Sequence, residues 1–197
     1  MLEDLWKEVW ELSWVDWTAT LFALVYVVLA ARQRVLGWVF GILSCALWAY
    51  ASFVFYQLYL DALLQLFYVA MGFWGWHTWR KDKQATQKLS IQTLPLRTHL
   101  IIIFSCLSLG ILFGYFFAAW TPAAATYPDA LTTLFAVAAT LMQVRKVLEN
   151  WIYWIFIDLA YAWLYGSRGA LLFMVLMLIY VMIASAAWLY WRKSRET

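Results

Sequence analysis

Polar positions break this chain at short intervals, and seven apolar runs lie between them. They span approximately 15–31, 36–56, 58–79, 99–118, 128–147, 150–166 and 169–191. Each is close to the ~20 residues that an α-helix needs to cross the hydrocarbon core of a bilayer. Backbone groups in lipid must satisfy one another, which leaves helices or closed barrels. A barrel would show shorter, alternating segments instead. The pattern predicts an all-α membrane protein with seven transmembrane helices forming one domain over 1–197. Connections are very short except for the polar stretch 80–98. Ahead of the first span, Leu2, Leu5, Trp6, Val9 and Trp10 share one helical face and Glu3, Asp4, Lys7, Glu8 and Glu11 fill the other. That pattern predicts an amphipathic interfacial helix over 2–13. Its alternative is a frayed extension of the first span.

Composition agrees with this reading. The chain is 66% hydrophobic and only 13% charged, about half the usual charged share of a soluble domain. The start lacks the basic region of a cleavable signal peptide. Cys45 and Cys106 fall inside apolar segments, which favours packed free thiols. His77 and His99 are far apart and have no ligand spacing, so no metal is expected. Charge then sets orientation. With seven spans, twelve of the fourteen Lys and Arg residues fall on one side and only Lys7 and Arg168 on the other. Basic loops stay in the cytoplasm, which predicts an N-terminus outside and a C-terminus inside.

The chain also matches itself at a shift of about 113 residues. Asp16, Thr20, Phe22, Arg32, Trp38 and Ile42 recur as Asp129, Thr133, Phe135, Arg145, Trp151 and Ile155. Tyr68, Trp76, Trp79, Arg80 and Lys81 recur as Tyr180, Trp188, Trp191, Arg192 and Lys193. Two triplets, 15–79 and 128–191, with one linker helix over 99–118, make a 3+1+3 parallel repeat. Folds built this way place substrate near the midplane between the halves.

The sixth span carries the most telling chemistry. Trp151, Trp154, Asp158, Tyr161 and Tyr165 share one helical face. The repeat sets Trp38, Gly41, Cys45, Trp48 and Ser52 opposite them on the second span. An ionisable group inside a membrane segment usually faces a cavity or a partner. A carboxylate among aromatic rings suits a flat organic cation. The alternative is a packing face with Asp158 bonded to a neighbouring Thr or Tyr. The third span presents Asp61, Gln65, Tyr68, Gly72 and Gly75. Gln65 can both donate and accept, while Asp61 either serves a ligand or caps its helix. Asp16 and Asp129 read as helix N-caps. Thr132, Thr133, Thr140 and Gln143 add polar points on the fifth span. Asn150 either caps the sixth span or touches a ligand.

Several classes are absent. There is no phosphate-binding P-loop and no nucleophile with a base, so an enzyme is not expected. No lysine lies within 169–191, which removes a retinal protein. Tyr59-Leu-Asp61-Ala-Leu-Leu-Gln65-Leu-Phe67-Tyr68, Gly75-Trp76-His-Thr-Trp79, Phe40-Gly41, Asp129, Arg145-Lys146 and Glu149-Asn150-Trp151-Ile-Tyr-Trp154 resemble the PnuC family of nicotinamide riboside transporters. The resemblance covers nearly the whole chain. It implies a SWEET-like architecture in a bacterial cytoplasmic (inner) membrane. It also implies facilitated uptake of an unphosphorylated vitamin, with a cytosolic kinase trapping the product, and no cofactor. By resemblance, Gln65, Asn150, Trp151 and Trp154 contact the ligand. Gly37, Ser44 and Gly72 depart from the family, whose riboside carriers often have Asn near these positions. The substrate-binding set is then Trp151, Trp154, Asp158, Asn150, Gln65, Tyr68, Asp61, Trp48 and Tyr161. Nicotinamide riboside leads and thiamine, another flat cation, is the alternative. Proton coupling through Asp158 and a subunit dependent on an energising partner are further alternatives. The expected partners are the vitamin and the bilayer, with a homo-oligomer (trimer) and no nucleic acid.

Overall fold

The structure, a computed structural model, describes residues 10, 12–57, 59–84, 90–120 and 126–196. The helix expected over 2–13 falls largely outside these residues. The described residues form seven helices: α1 (Trp14–Ala31), α2 (Leu36–Val54), α3 (Tyr59–Gln84), α4 (Leu96–Trp120), α5 (Thr126–Val144), α6 (Asn150–Ser167) and α7 (Leu171–Glu196). α1, α2, α4 and α7 are long and apolar enough to cross a membrane. The other three carry Asp61 and Gln65, Asp129 with the threonines, and Asn150 with Asp158. The polar residues of interest are what lower the hydropathy of these helices.

Six helices close a ring. α1 packs on α2, α2 on α3, α3 on α5, α5 on α6, α6 on α7, and α7 returns to α1. α4 stands outside and packs on α5. Its buried residues are Cys106, Gly110 and Gly114, a stripe of small residues of the kind that lets membrane helices approach closely. A Cβ added at Gly110 would lie 2.5 Å from Leu131, and one at Gly114 would lie 2.5 Å from Tyr127.

The ends of α1 and α5 are built alike. Gln33 (φ 55°) and Lys146 (φ 54°) each turn the chain in the left-handed region, which is uncommon for residues other than glycine. Arg34 N–H donates to Leu29 O at 2.8 Å, and Val147 N–H donates to Met142 O at 2.9 Å. These pairs are related by the shift seen in the sequence. α1 starts on a capping box. Ser13 is the cap, and Asp16 in the first turn accepts from the Ser13 N–H at 3.0 Å and from the Tyr56 hydroxyl at 2.6 Å. Asp16 is therefore the partner of the N-cap and not the cap itself. Asp129 lies exposed in the first turn of α5.

The main core lies at one end of the ring. Trp38, Trp79, Trp151 and Trp191 pack there with Ala30, Val144, Ala184, Ala187 and Ile91. Gly75 makes room for Trp38, whose ring would lie 2.5 Å from an added Cβ. Basic residues lie at this same end: Lys146 sits over the Trp79 ring, and Arg80 and Arg192 over Trp76 and Trp188, which pack on this core.

Candidate functional site

Farther along the ring the side chains change from indole to phenol and acid. Asp158 sits on α6 two helical turns beyond Trp151, about 10 Å at 1.5 Å per residue. It is 7% exposed. Among the described residues no basic side chain and no hydrogen-bond donor is paired with it. The packing-face alternative, with Asp158 bonded to a Thr or Tyr, does not describe this geometry. An acid in that setting is uncompensated, and a buried charge without a partner is costly.

Phenols and polar groups from the ring gather near it. Tyr180 of α7 lies within electrostatic reach of Asp158 and Cys45. Tyr161 of α6 reaches Asp158, Asp129, Thr132 and Thr133, and its ring stacks on Tyr165 with centroids 6.0 Å apart. Tyr68 of α3 reaches Tyr161, Cys45 and Asp61. Tyr26 of α1 reaches Cys45, Gln143 and Tyr68. All six ring helices thus contribute to one group of acids and phenols, with Arg168 in reach of Asp129 and Tyr165 at its edge.

The expected site residues divide. Asp158, Tyr161 and Tyr68 come together in this group. Asp61 is tied to α2, accepting from the Ser52 hydroxyl, and Tyr68 of α3 and Tyr165 of α6 lie within its electrostatic reach. Trp154 is half-buried and packs between the tryptophan core and the cluster of Ala136, Ala139 and Ile157. Trp151 belongs to the tryptophan core, edge to face on Trp191 at 5.5 Å, with its indole N–H unpartnered. Asn150 is fully buried. Its amide donates to Val147 O at 2.6 Å, and its Oδ1 has no partner. It does not cap α6, whose cap position is Glu149. Gln65 and Trp48 are half-buried on α3 and α2. The sequence reading missed Tyr26 and Tyr180 as site residues. Tyr180 had a signal, since the repeat matches it to Tyr68. Tyr26 had none.

A separate groove of about 440 Å³ runs between α4, α5 and α6, lined by Leu131, Phe135, Tyr153, Phe156 and other mainly apolar residues. Phe156 is widely exposed there. No carboxylate lines the groove, and Thr132 is the residue it shares with the acid-and-phenol group.

Comparison with known proteins is consistent across the chain. Residues 13–193 match the family described as nicotinamide mononucleotide transporter. The nicotinamide riboside transporter PnuC of Escherichia coli (strain K12) is 26% identical over 185 residues, 81% of this chain and 77% of that protein. The nicotinamide riboside transporter PnuC of Neisseria mucosa is 23% identical over 196 residues, 92% of this chain and 73% of that protein. The crystal structure of the vitamin B3 transporter PnuC superposes with a TM-score of 0.76 at 21% identity, covering 99% of this chain and 89% of that one. These relatives are named as transporters and not as enzymes.

Proposed function

The chain belongs to the nicotinamide mononucleotide transporter family, and from that premise we propose that it carries a flat cationic vitamin, nicotinamide riboside, across the membrane by facilitated diffusion. One observation carries this: Asp158 is buried among phenols with no basic partner. A planar cation supplies the missing charge, and the surrounding rings bind its face. The same geometry disfavours the phosphorylated form. A phosphate needs cations or an array of donors, and this group offers acids. The names of the relatives favour the riboside over thiamine, which Asp158 would suit equally well.

In this reading all seven helices span the membrane as a 3+1+3 parallel repeat. The ring contacts support it, because exchanging α1 with α5, α2 with α6 and α3 with α7 turns the α1–α7 contact into α5–α3. The matching turns at Gln33 and Lys146 support it too. The halves rock about the acid-and-phenol group, opening it to either side in turn. The N-terminus lies outside and the basic end faces the cytoplasm, where a kinase traps the product. The test is uptake of labelled nicotinamide riboside into liposomes. Asp158→Asn is expected to lower the apparent affinity at least about tenfold, equivalent to ~1.4 kcal/mol. Unchanged uptake and affinity would remove Asp158 from the mechanism.

A further inference from the structure

Two hydrogen bonds at the basic end join the two halves of the ring, and the repeat relates one to the other. The indole N–H of Trp79 (α3) donates to the carbonyl of Val144, the last residue of α5, at 3.0 Å. The indole N–H of Trp191 (α7) donates to the carbonyl of Ala31, the last residue of α1, at 2.8 Å. Donor and acceptor are both related by the repeat. Each acceptor is a helix-end carbonyl that has no partner within its own helix. The two bonds sit on the two helix contacts that join the triplets, α3 with α5 and α7 with α1.

The rings continue the symmetry. Trp38 meets Trp79 at 5.4 Å and 88°, and Trp151 meets Trp191 at 5.5 Å and 84°. Trp79 and Trp191 meet each other at 5.9 Å. The order 38–79–191–151 thus runs from one half to the other, and all four rings are buried. A segment of the connection between the halves covers them. Ile91 packs into the cluster. Gln92 pairs with the α5–α6 turn, donating to Lys146 O at 3.0 Å and accepting from Leu148 N–H at 2.8 Å. Leu94 N–H donates to Glu149 at 3.3 Å.

We propose that these four tryptophans, latched by the reciprocal Trp79 and Trp191 hydrogen bonds and strapped by Ile91, are the closed gate at the basic end of the permeation path. This rests on the transporter reading above. No polar solute passes four packed indoles, so the halves must part there. Parting breaks two equivalent bonds between the halves and leaves each half intact. Trp38 and Trp151 favour such a second state. Both keep a buried indole N–H without a partner, and an unmade hydrogen bond of this kind destabilises the closed arrangement. Water or a ligand entering an open gate can accept from both.

Cys45 reports the gate, because it belongs to the acid-and-phenol group, within electrostatic reach of Tyr26 and Tyr68. With Cys106→Ser removing the other thiol, labelling of Cys45 by a membrane-impermeant cationic methanethiosulfonate is followed from each side of oriented vesicles. Trp79→Phe and Trp191→Phe keep a ring and delete one latch donor each. Each is expected to raise the labelling rate from the basic side about tenfold, by similar factors, and not from the other side. Ile91→Ala, which leaves all four tryptophans in place, is expected to raise it as well and decides the matter if the Phe variants do not elute as folded protein. Unchanged rates in folded variants, or equal gains from both sides, would overturn the gate. The assay needs no vitamin. Altered access in a protein that takes up no nicotinamide riboside would count against the substrate alone. Unaltered access in one that does take it up would count against the gate alone.

Discussion

At the scale of single residues, function concentrates where an apolar segment keeps a group it would otherwise lack. Asp158 is legible from sequence because a carboxylate in a membrane span is rare and costly. The phenols around it are not, since a tyrosine in an apolar helix reads as packing, and only the fold brings Tyr26, Tyr68 and Tyr180 together from three helices. Asp61 reads as a ligand group or a helix cap, and its bond to Ser52 adds a tie between α2 and α3 that the sequence does not show. Tyr180→Phe should weaken nicotinamide riboside binding while leaving the fold intact. The expected loss is about 0.5–1.5 kcal/mol, the net worth of one hydrogen bond, read by calorimetry in detergent. Gly75→Ala should destabilise. The new methyl would lie 2.5 Å from the Trp38 ring, and overpacking of this kind costs about 1–3 kcal/mol. A lowered thermal midpoint checks it, and an unchanged one would mean that Trp38 shifts freely.

At the scale of elements, the bilayer made the helices readable. An apolar run of the right length has one stable backbone solution in lipid, and each of α1 to α7 lies on one of the seven runs. The ends were less legible. α3 and α7 continue to Gln84 and Glu196, past the apolar runs, because composition marks the edge of the hydrocarbon and not the end of a helix. α5 stops at Val144 because Lys146 takes a left-handed turn, which no apolar count reveals. The cap of α1 was misplaced by three residues for a related reason. Ser13 and Asp16 satisfy each other's neighbourhood, and either can look like the cap in sequence. Ser13→Ala should cost about 1 kcal/mol, visible as a lower midpoint of thermal unfolding with ligand affinity retained. An unchanged midpoint would show that Tyr56 alone holds Asp16.

At the scale of the whole molecule, the ring explains why charge and aromatics are sorted as they are. Basic residues gather at one end beside the tryptophan core, and acids and phenols lie within, so a cation meets favourable potential once inside. The proposed orientation places the C-terminus in the cytoplasm. A green fluorescent protein fused there should fluoresce, and an alkaline phosphatase fused there should be inactive; the opposite pair of results would invert the topology. The account's central claim is that Asp158 holds a planar positive ring. Nicotinamide riboside and its reduced form are nearly the same size, but only the oxidised ring carries the charge. Calorimetric affinities of both for the native chain and for Asp158→Asn therefore isolate the pairing. The native chain should prefer the charged ring by at least about tenfold, and the variant should lose that preference. Equal affinities in the native chain, or a preference that survives the substitution, would contradict it.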